Sequence, residues 1–99
     1  GNEGRSSYVS TKAALISQAR VLSRELGPNN IRVNTIAPGL TNTDMMSKNT
    51  TKEVIDEIVS RTPLGKIAEP KNIASVALFL SSALSDHITG QVIRVDGGI

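Results

Sequence analysis

Apolar positions recur along the chain in two periods, and the alternation of those periods organises the reading. From Tyr8 to Leu26, Leu15, Ala19, Leu22 and Leu26 step by four, three and four, one stripe of a helix. The stretch before it, GNEGRSS, is polar and reads as loop. Gly27-Pro28 stops the helix, because proline cannot continue the ladder and glycine suits a helix exit. Ile31 to Ala37, with Ile31, Val33 and Ile36, is short and β-rich and predicts a buried strand ended by Pro38-Gly39. Leu40 to Asn49 reads as loop. Thr50 and Glu53 have capping-box spacing before a short helix whose face is Val54, Ile55, Ile58 and Val59, broken by Pro63 and Gly65.

Pro70 suits the first turn of a further helix, in which Ile73, Ala77 and Leu80 lie along one face and Ala74 and Leu78 widen it. Thr89-Gly90 predicts a turn, Gln91 to Val95 a second strand, and Asp96-Gly97-Gly98 a terminal turn in which Asp96 is the cap. The order helix, strand, helix, helix, strand predicts an α/β fold with a parallel sheet and right-handed crossovers. Both strands are apolar on both faces, the pattern of a sheet covered on each side. Two strands alone make a poor sheet, so neighbouring strands are expected from elsewhere.

Composition narrows the chemistry. The chain has 99 residues, 38% hydrophobic and 20% charged, the balance of one small globular domain. A net charge of +2, with Lys and Arg scattered, gives no electrostatic footprint for nucleic acid. No apolar run approaches the ~20 residues of a membrane span, and Gly1 to Ser7 has no apolar core of a signal peptide. Cysteine is absent, which removes disulfides, thiolate catalysis and Cys-ligated metals and is compatible with a reducing, cytoplasmic setting. The one histidine, His87, builds no cluster and reads as a surface-turn residue, so no metal site is expected. Met45 and Met46 read as wall residues rather than chemistry.

One pair does suggest chemistry. Tyr8 and Lys12, in YVSTK, are four apart and share a helix face. A free phenol has a pKa near 10, too high for proton transfer at neutral pH. An ammonium about 5 Å away, at an effective dielectric near 20, favours the phenolate by roughly 3 kcal/mol. That equals about two pKa units and brings the phenol into a useful range. Such a pair, taken alone, is more commonly a solvated helix pair.

Its context alters that weight. RSSYVSTKAAL, then ELGPNNIRVNTIAPGLTNTDM, then ITGQVIRVDGG resemble the short-chain dehydrogenase/reductase family across nearly the whole chain. The matched motifs are Tyr8 with Lys12; Asn34, Pro38, Gly39, Thr43, Asp44 and Met45; and Thr89, Gly90, Val95, Asp96, Gly97 and Gly98. Within the family the look is that of 3-oxoacyl-[acyl-carrier-protein] reductases. The resemblance implies the C-terminal part of a Rossmann-type, doubly wound parallel sheet, with residues 1–99 as one segment of a single domain. It implies a hydride transfer between NAD or NADP and a carbonyl or secondary alcohol, in a homo-oligomer that binds neither nucleic acid nor membrane.

By the same resemblance, Tyr8 would be the general acid in reduction and the base in oxidation. Lys12 would lower its pKa and hold the nicotinamide ribose. Pro38-Gly39 would lie against the nicotinamide. Thr41 would offer backbone groups to the carboxamide, and Thr43 its hydroxyl or backbone to the same end of the cofactor. Asp44 to Arg61 would be a lid over the substrate. Ordinary turn-capping by the Thr41 and Thr43 hydroxyls is the alternative reading of those two residues.

The family's Gly-rich phosphate turn and the residue that chooses NAD or NADP have no counterpart in the sequence. Its catalytic serine and asparagine would fall before Gly1; Ser6 and Ser7 stand too close to Tyr8, and Asn34 reads as structural. The chain by itself is therefore expected to bind a dinucleotide weakly and to be inactive. The alternative to an enzyme is a catalytically silent module that only folds or self-associates.

Overall fold

Nothing between Asn2 and Leu26 breaks a helix, and the chain uses all of it. In the computed structural model, which describes residues 2–99 and of residues 2–6 and Tyr8 the backbone alone, α1 runs Asn2–Leu26. From Asn2 to Ser7 the expected loop before Tyr8 is helical instead, and its first residue lies outside the described ones. Once a helix is nucleated each added residue gains a hydrogen bond, and one glycine costs only about 1 kcal/mol. Gly27-Pro28 stops it as expected, through a 3-10 turn over Gly27–Asn29 closed by left-handed Asn30.

The chain forms two units, Gly1–Thr35 with Asp86–Val92, and Ile36–Ser85 with Ile93–Ile99. In the first, the covered row of α1 keeps Ala19 and Leu26 of the expected stripe but not Leu15 and Leu22. Lys12, Ile16, Ala19, Ser23 and Leu26 are half-buried or buried, whereas Leu15 is 58% exposed. The row is chosen by the turn at Gly90, where an added Cβ would stand 2.9 Å from Ser23 Oγ. So close a backbone approach needs small residues such as Ala19 and Ser23, not leucines.

β1 spans Thr35–Pro38 and β2 spans Val92–Val95. Thr35 N–H donates to Gln91 C=O and Gly39 N–H to Val95 C=O, both at 2.9 Å. Both members of the pair advance by four residues, so the strands are parallel, as expected. β1 starts later than the pattern predicted because residues 32–34 pair largely through side chains. Thr89 Oγ1 accepts from Val33 N–H at 3.0 Å, Asn34 Nδ2 donates to Ile88 C=O at 2.9 Å, and Asn34 Oδ1 accepts from Gln91 N–H at 3.0 Å.

In the second unit, Ala37 and Met46 are the buried apolar side chains. The expected loop over Leu40–Asn49 contains a helix, α2, Asp44–Asn49. Thr43 Oγ1 accepts from Met46 N–H at 3.1 Å and caps it, and Asp44 suits the positive end of its dipole. α3, Lys52–Arg61, is capped by Thr51 rather than Thr50. Thr50 N–H already closes α2 on Met46 C=O, so the next hydroxyl takes the cap and the Thr50–Glu53 box does not form. α4 is Pro70–Ser81, as the proline predicted. The Ser85 hydroxyl, 1% exposed, donates to Phe79 C=O at 2.8 Å and finishes its end.

Candidate active site

Six residues carry the expected chemistry, and the fold distributes them over its two units. Tyr8 and Lys12 stand on α1, four residues apart on unbroken helical backbone. The Lys12 side chain is half-buried, in the covered row of the helix. The Tyr8 side chain lies outside the described residues. Pro38, Gly39, Thr41 and Thr43 follow one another at and beyond the carboxyl end of β1, where ligands sit in open parallel sheets.

Gly39 is there for lack of space. A Cβ at this position would meet both Cα and Cβ of Asp96 at 2.8 Å. Asp96 is itself held, because its Oδ1 accepts from Gly98 N–H at 2.9 Å and caps the terminal turn as expected. Two turns, one following each strand, are thereby packed backbone to backbone, and the Gly39 to Val95 hydrogen bond closes them.

Thr41 forms a single parallel bridge with Ala68. Ala68 supplies both hydrogen bonds of that bridge, donating its N–H to Leu40 C=O at 3.0 Å and accepting from Asn42 N–H at 2.8 Å. In a parallel ladder the residue flanked by such a pair turns its own N–H and C=O the other way. Among the described residues Thr41 accordingly has an N–H and a C=O without a protein partner, both turned to the same side of a half-buried stretch of backbone. Its hydroxyl donates to Gly39 C=O at 3.0 Å, so the turn-capping reading holds for the side chain while the backbone pair stays open. Thr43 accepts at its hydroxyl oxygen from Met46 N–H, which leaves the hydroxyl hydrogen to donate.

The periodicity of the sequence carried no signal for Ala68, because one bridge has no period. Nor did it mark Asp96 as the neighbour of Gly39; only the glycine hinted at a close approach. The other residues singled out have structural placements. His87 is exposed in the turn before β2, Met45 is exposed, and Met46 is buried. Among the described residues no three His, Cys, Asp or Glu side chains gather at a point that could hold a metal. Among the same residues no helix is long and apolar enough to cross a membrane.

Comparison with known proteins shows what the chain is similar to. The family model described as enoyl-(acyl carrier protein) reductase matches residues 1–99. The 3-oxoacyl-[acyl-carrier-protein] reductase FabG of Chlamydia muridarum is 46% identical over 99 residues, which are 100% of this chain and 40% of that protein. The chain thus spans about two-fifths of the length of this curated relative. The crystal structure of 3-oxoacyl-[acyl-carrier protein] reductase from Brucella melitensis superposes with a TM-score of 0.89 and 42% identity, over 93% of this chain and 34% of that one. A 4-hydroxyisoleucine dehydrogenase complexed with NADH superposes with a TM-score of 0.84 and 34% identity, over 94% of this chain and 39% of that one.

Proposed function

The chain belongs to the short-chain dehydrogenase/reductase family and is 3-oxoacyl-[acyl-carrier-protein] reductase-like, and on that premise we propose that it carries the proton-transfer and nicotinamide-facing half of an NAD(P)-dependent oxidoreductase. The substrate class is a carbonyl compound or the corresponding secondary alcohol. Residues 1–99 form one segment of a single Rossmann-type domain in this reading. The observation that carries it is the open N–H and C=O of Thr41 beyond the carboxyl end of β1. A primary carboxamide presents one acceptor and one donor group, the complement of that backbone pair. The nicotinamide ring carries such a carboxamide, so the residues fit the group.

In reduction, Tyr8 gives its phenolic proton to the substrate oxygen as the carbonyl carbon becomes tetrahedral; in oxidation the phenolate takes that proton back. Lys12 stabilises the phenolate from one helical turn away and holds the ribose hydroxyls. Pro38-Gly39 forms the wall against the ring, Thr41 fixes the carboxamide and Thr43 adds a hydroxyl donor at the same end. The nicotinamide, when bound, supplies the hydride in reduction and accepts it in oxidation. Asp44–Arg61, with α2 and α3, lies over the substrate.

This chain includes no glycine-rich turn to hold the pyrophosphate. We therefore expect weak dinucleotide binding and no turnover from the 99 residues alone, with activity belonging to a polypeptide that also supplies that turn. A cytoplasmic homo-oligomer is part of the same reading. The second reading, a self-associating module without turnover, draws on exposed apolar side chains such as Leu78 and Leu84, 73% and 83% exposed. Backbone NMR of a polypeptide that joins this chain to such a turn, titrated with NADH and with NADPH, distinguishes the two. The enzyme reading expects the Thr41 amide to shift on binding while α4 amides stay still. Saturation with a dinucleotide and an unmoved Thr41 amide would contradict it.

A further inference from the structure

The stretch Asn42–Ile67, which contains the segment that the proposed function places over the substrate, closes on itself. The Thr41–Ala68 bridge joins the two ends of Asn42–Ile67, and Asn42 Nδ2 reaches the Glu69 carboxylate at 3.4 Å. Between those ends only Met46 and Thr62 are buried. Thr62 is thus one of the two side chains that anchor the segment, so what holds Thr62 bears directly on where the segment rests.

The pin lies in the terminal turn. Leu64 N–H donates to Gly97 C=O at 3.1 Å. Gly97, at φ +69°, leaves room for Thr62, whose Cγ2 would stand 2.7 Å from a Cβ there. Gly98, at φ +97°, faces the Pro63 ring, 3.1 Å from where its own Cβ would be. Thr62 in turn donates its hydroxyl to Ile58 C=O at 2.6 Å, so contact at Thr62 is contact with α3. Beside this seat, a cavity of about 350 Å³ lined by Leu64, Ile67, Ala68, Val95 and Gly97 gives the limb somewhere to go.

We propose that the Asp96–Gly98 turn is a latch. It seats the return limb Thr62–Leu64 through the missing side chain of Gly97 and so sets the resting position of Asp44–Arg61 over the site. The inference rests on the functional reading only for what the segment covers. Its test uses neither cofactor nor substrate, so failure of one leaves the other standing.

The experiment is hydrogen–deuterium exchange with peptide resolution on the full chain. Gly97→Ala places a methyl against Thr62 and strains the left-handed backbone. It is expected to raise exchange of amides 44–61 about tenfold, the population change such a conformation brings, and to leave α4 unchanged. Adding Thr62→Ser removes Cγ2 but keeps the hydroxyl bonded to Ile58, and is expected to restore most of the protection. Gly65→Ala, at φ +70° with nothing within 4 Å of the new Cβ, controls for strain without contact. Faster exchange confined to residues 92–99, or no recovery with Thr62→Ser, overturns the latch. If Gly97→Ala loosens the entire chain, Asp96→Ala decides, since it removes only the cap on Gly98 N–H. Selective exposure of 44–61 then supports the latch, and an unchanged 44–61 overturns it.

Discussion

Gly39→Ala should cost this protein far more than a methyl group usually does. The added Cβ would stand 2.8 Å from both Cα and Cβ of Asp96, where about 3.4 Å or more is comfortable. Neither atom can swing away, because one is backbone and the other is fixed to it. Relief requires the turns after β1 and β2 to part, which stretches the 2.9 Å hydrogen bond from Gly39 to Val95. Overpacking of this kind costs about 1–3 kcal/mol and a weakened hydrogen bond about 0.5–1.5 kcal/mol, for a total of about 2–4 kcal/mol. With a urea m-value near 2 kcal/mol/M the midpoint should fall by about 1–2 M. Gly27→Ala is the matched control, since a Cβ there meets nothing within 4 Å. It should leave the midpoint unchanged or raise it by the equivalent of about 0.4–1 kcal/mol, through the unfolded chain. Urea unfolding followed by far-ultraviolet circular dichroism reads both. A Gly39→Ala midpoint within about 0.3 M of wild type would show that the two turns are not held together as described.

The other expectations follow from single hydrogen bonds. Asn34→Ala removes a donor to Ile88 and an acceptor for Gln91 and should destabilise by about 1–3 kcal/mol in the same unfolding assay. Asn34→Asp keeps the acceptor and should lose less. Thr51→Ala should weaken α3 by about 1 kcal/mol, whereas Thr50→Ala should leave the α3 amides unchanged in hydrogen exchange, because the cap belongs to Thr51. Lys12→Met, in a polypeptide able to bind the dinucleotide, should weaken cofactor affinity and turnover together, while Tyr8→Phe should spare affinity; fluorescence titration beside steady-state rates separates the two.

Much of the fold was legible because it follows local rules. Gly27-Pro28, Pro70 and Gly90 punctuate the chain where their backbone restrictions demand, and the two apolar runs became parallel strands. What was not legible depends on partners distant in sequence. The covered row of α1 follows Ile16, Ala19 and Ser23 because the Gly90 turn comes close there, and no periodicity within the helix shows that turn. α2 was missed because Asp44–Asn49 has too few apolar residues for a period, and its cap at Thr43 is the stronger signal. Thr50 resembled a cap because hydroxyl and carboxylate spacing allowed it, but its N–H was already committed to Met46. Of the candidate site, the family resemblance named Pro38, Gly39, Thr41 and Thr43. The reason Thr41 keeps an open backbone pair lies in Ala68, 27 residues further on, and emerges only when the chain is folded.

The central claim is that Tyr8 moves the proton in a nicotinamide-dependent reaction. Its most direct test is the rate of NADH or NADPH oxidation at saturating cofactor, over ketones and 3-oxoacyl thioesters, in a polypeptide uniting this chain with a dinucleotide-phosphate turn, wild type against Tyr8→Phe. Loss of general acid catalysis should lower kcat by about 10²–10⁴-fold with cofactor affinity retained. A Tyr8→Phe variant that binds the cofactor and turns over within a few-fold of wild type would remove Tyr8 from the chemistry.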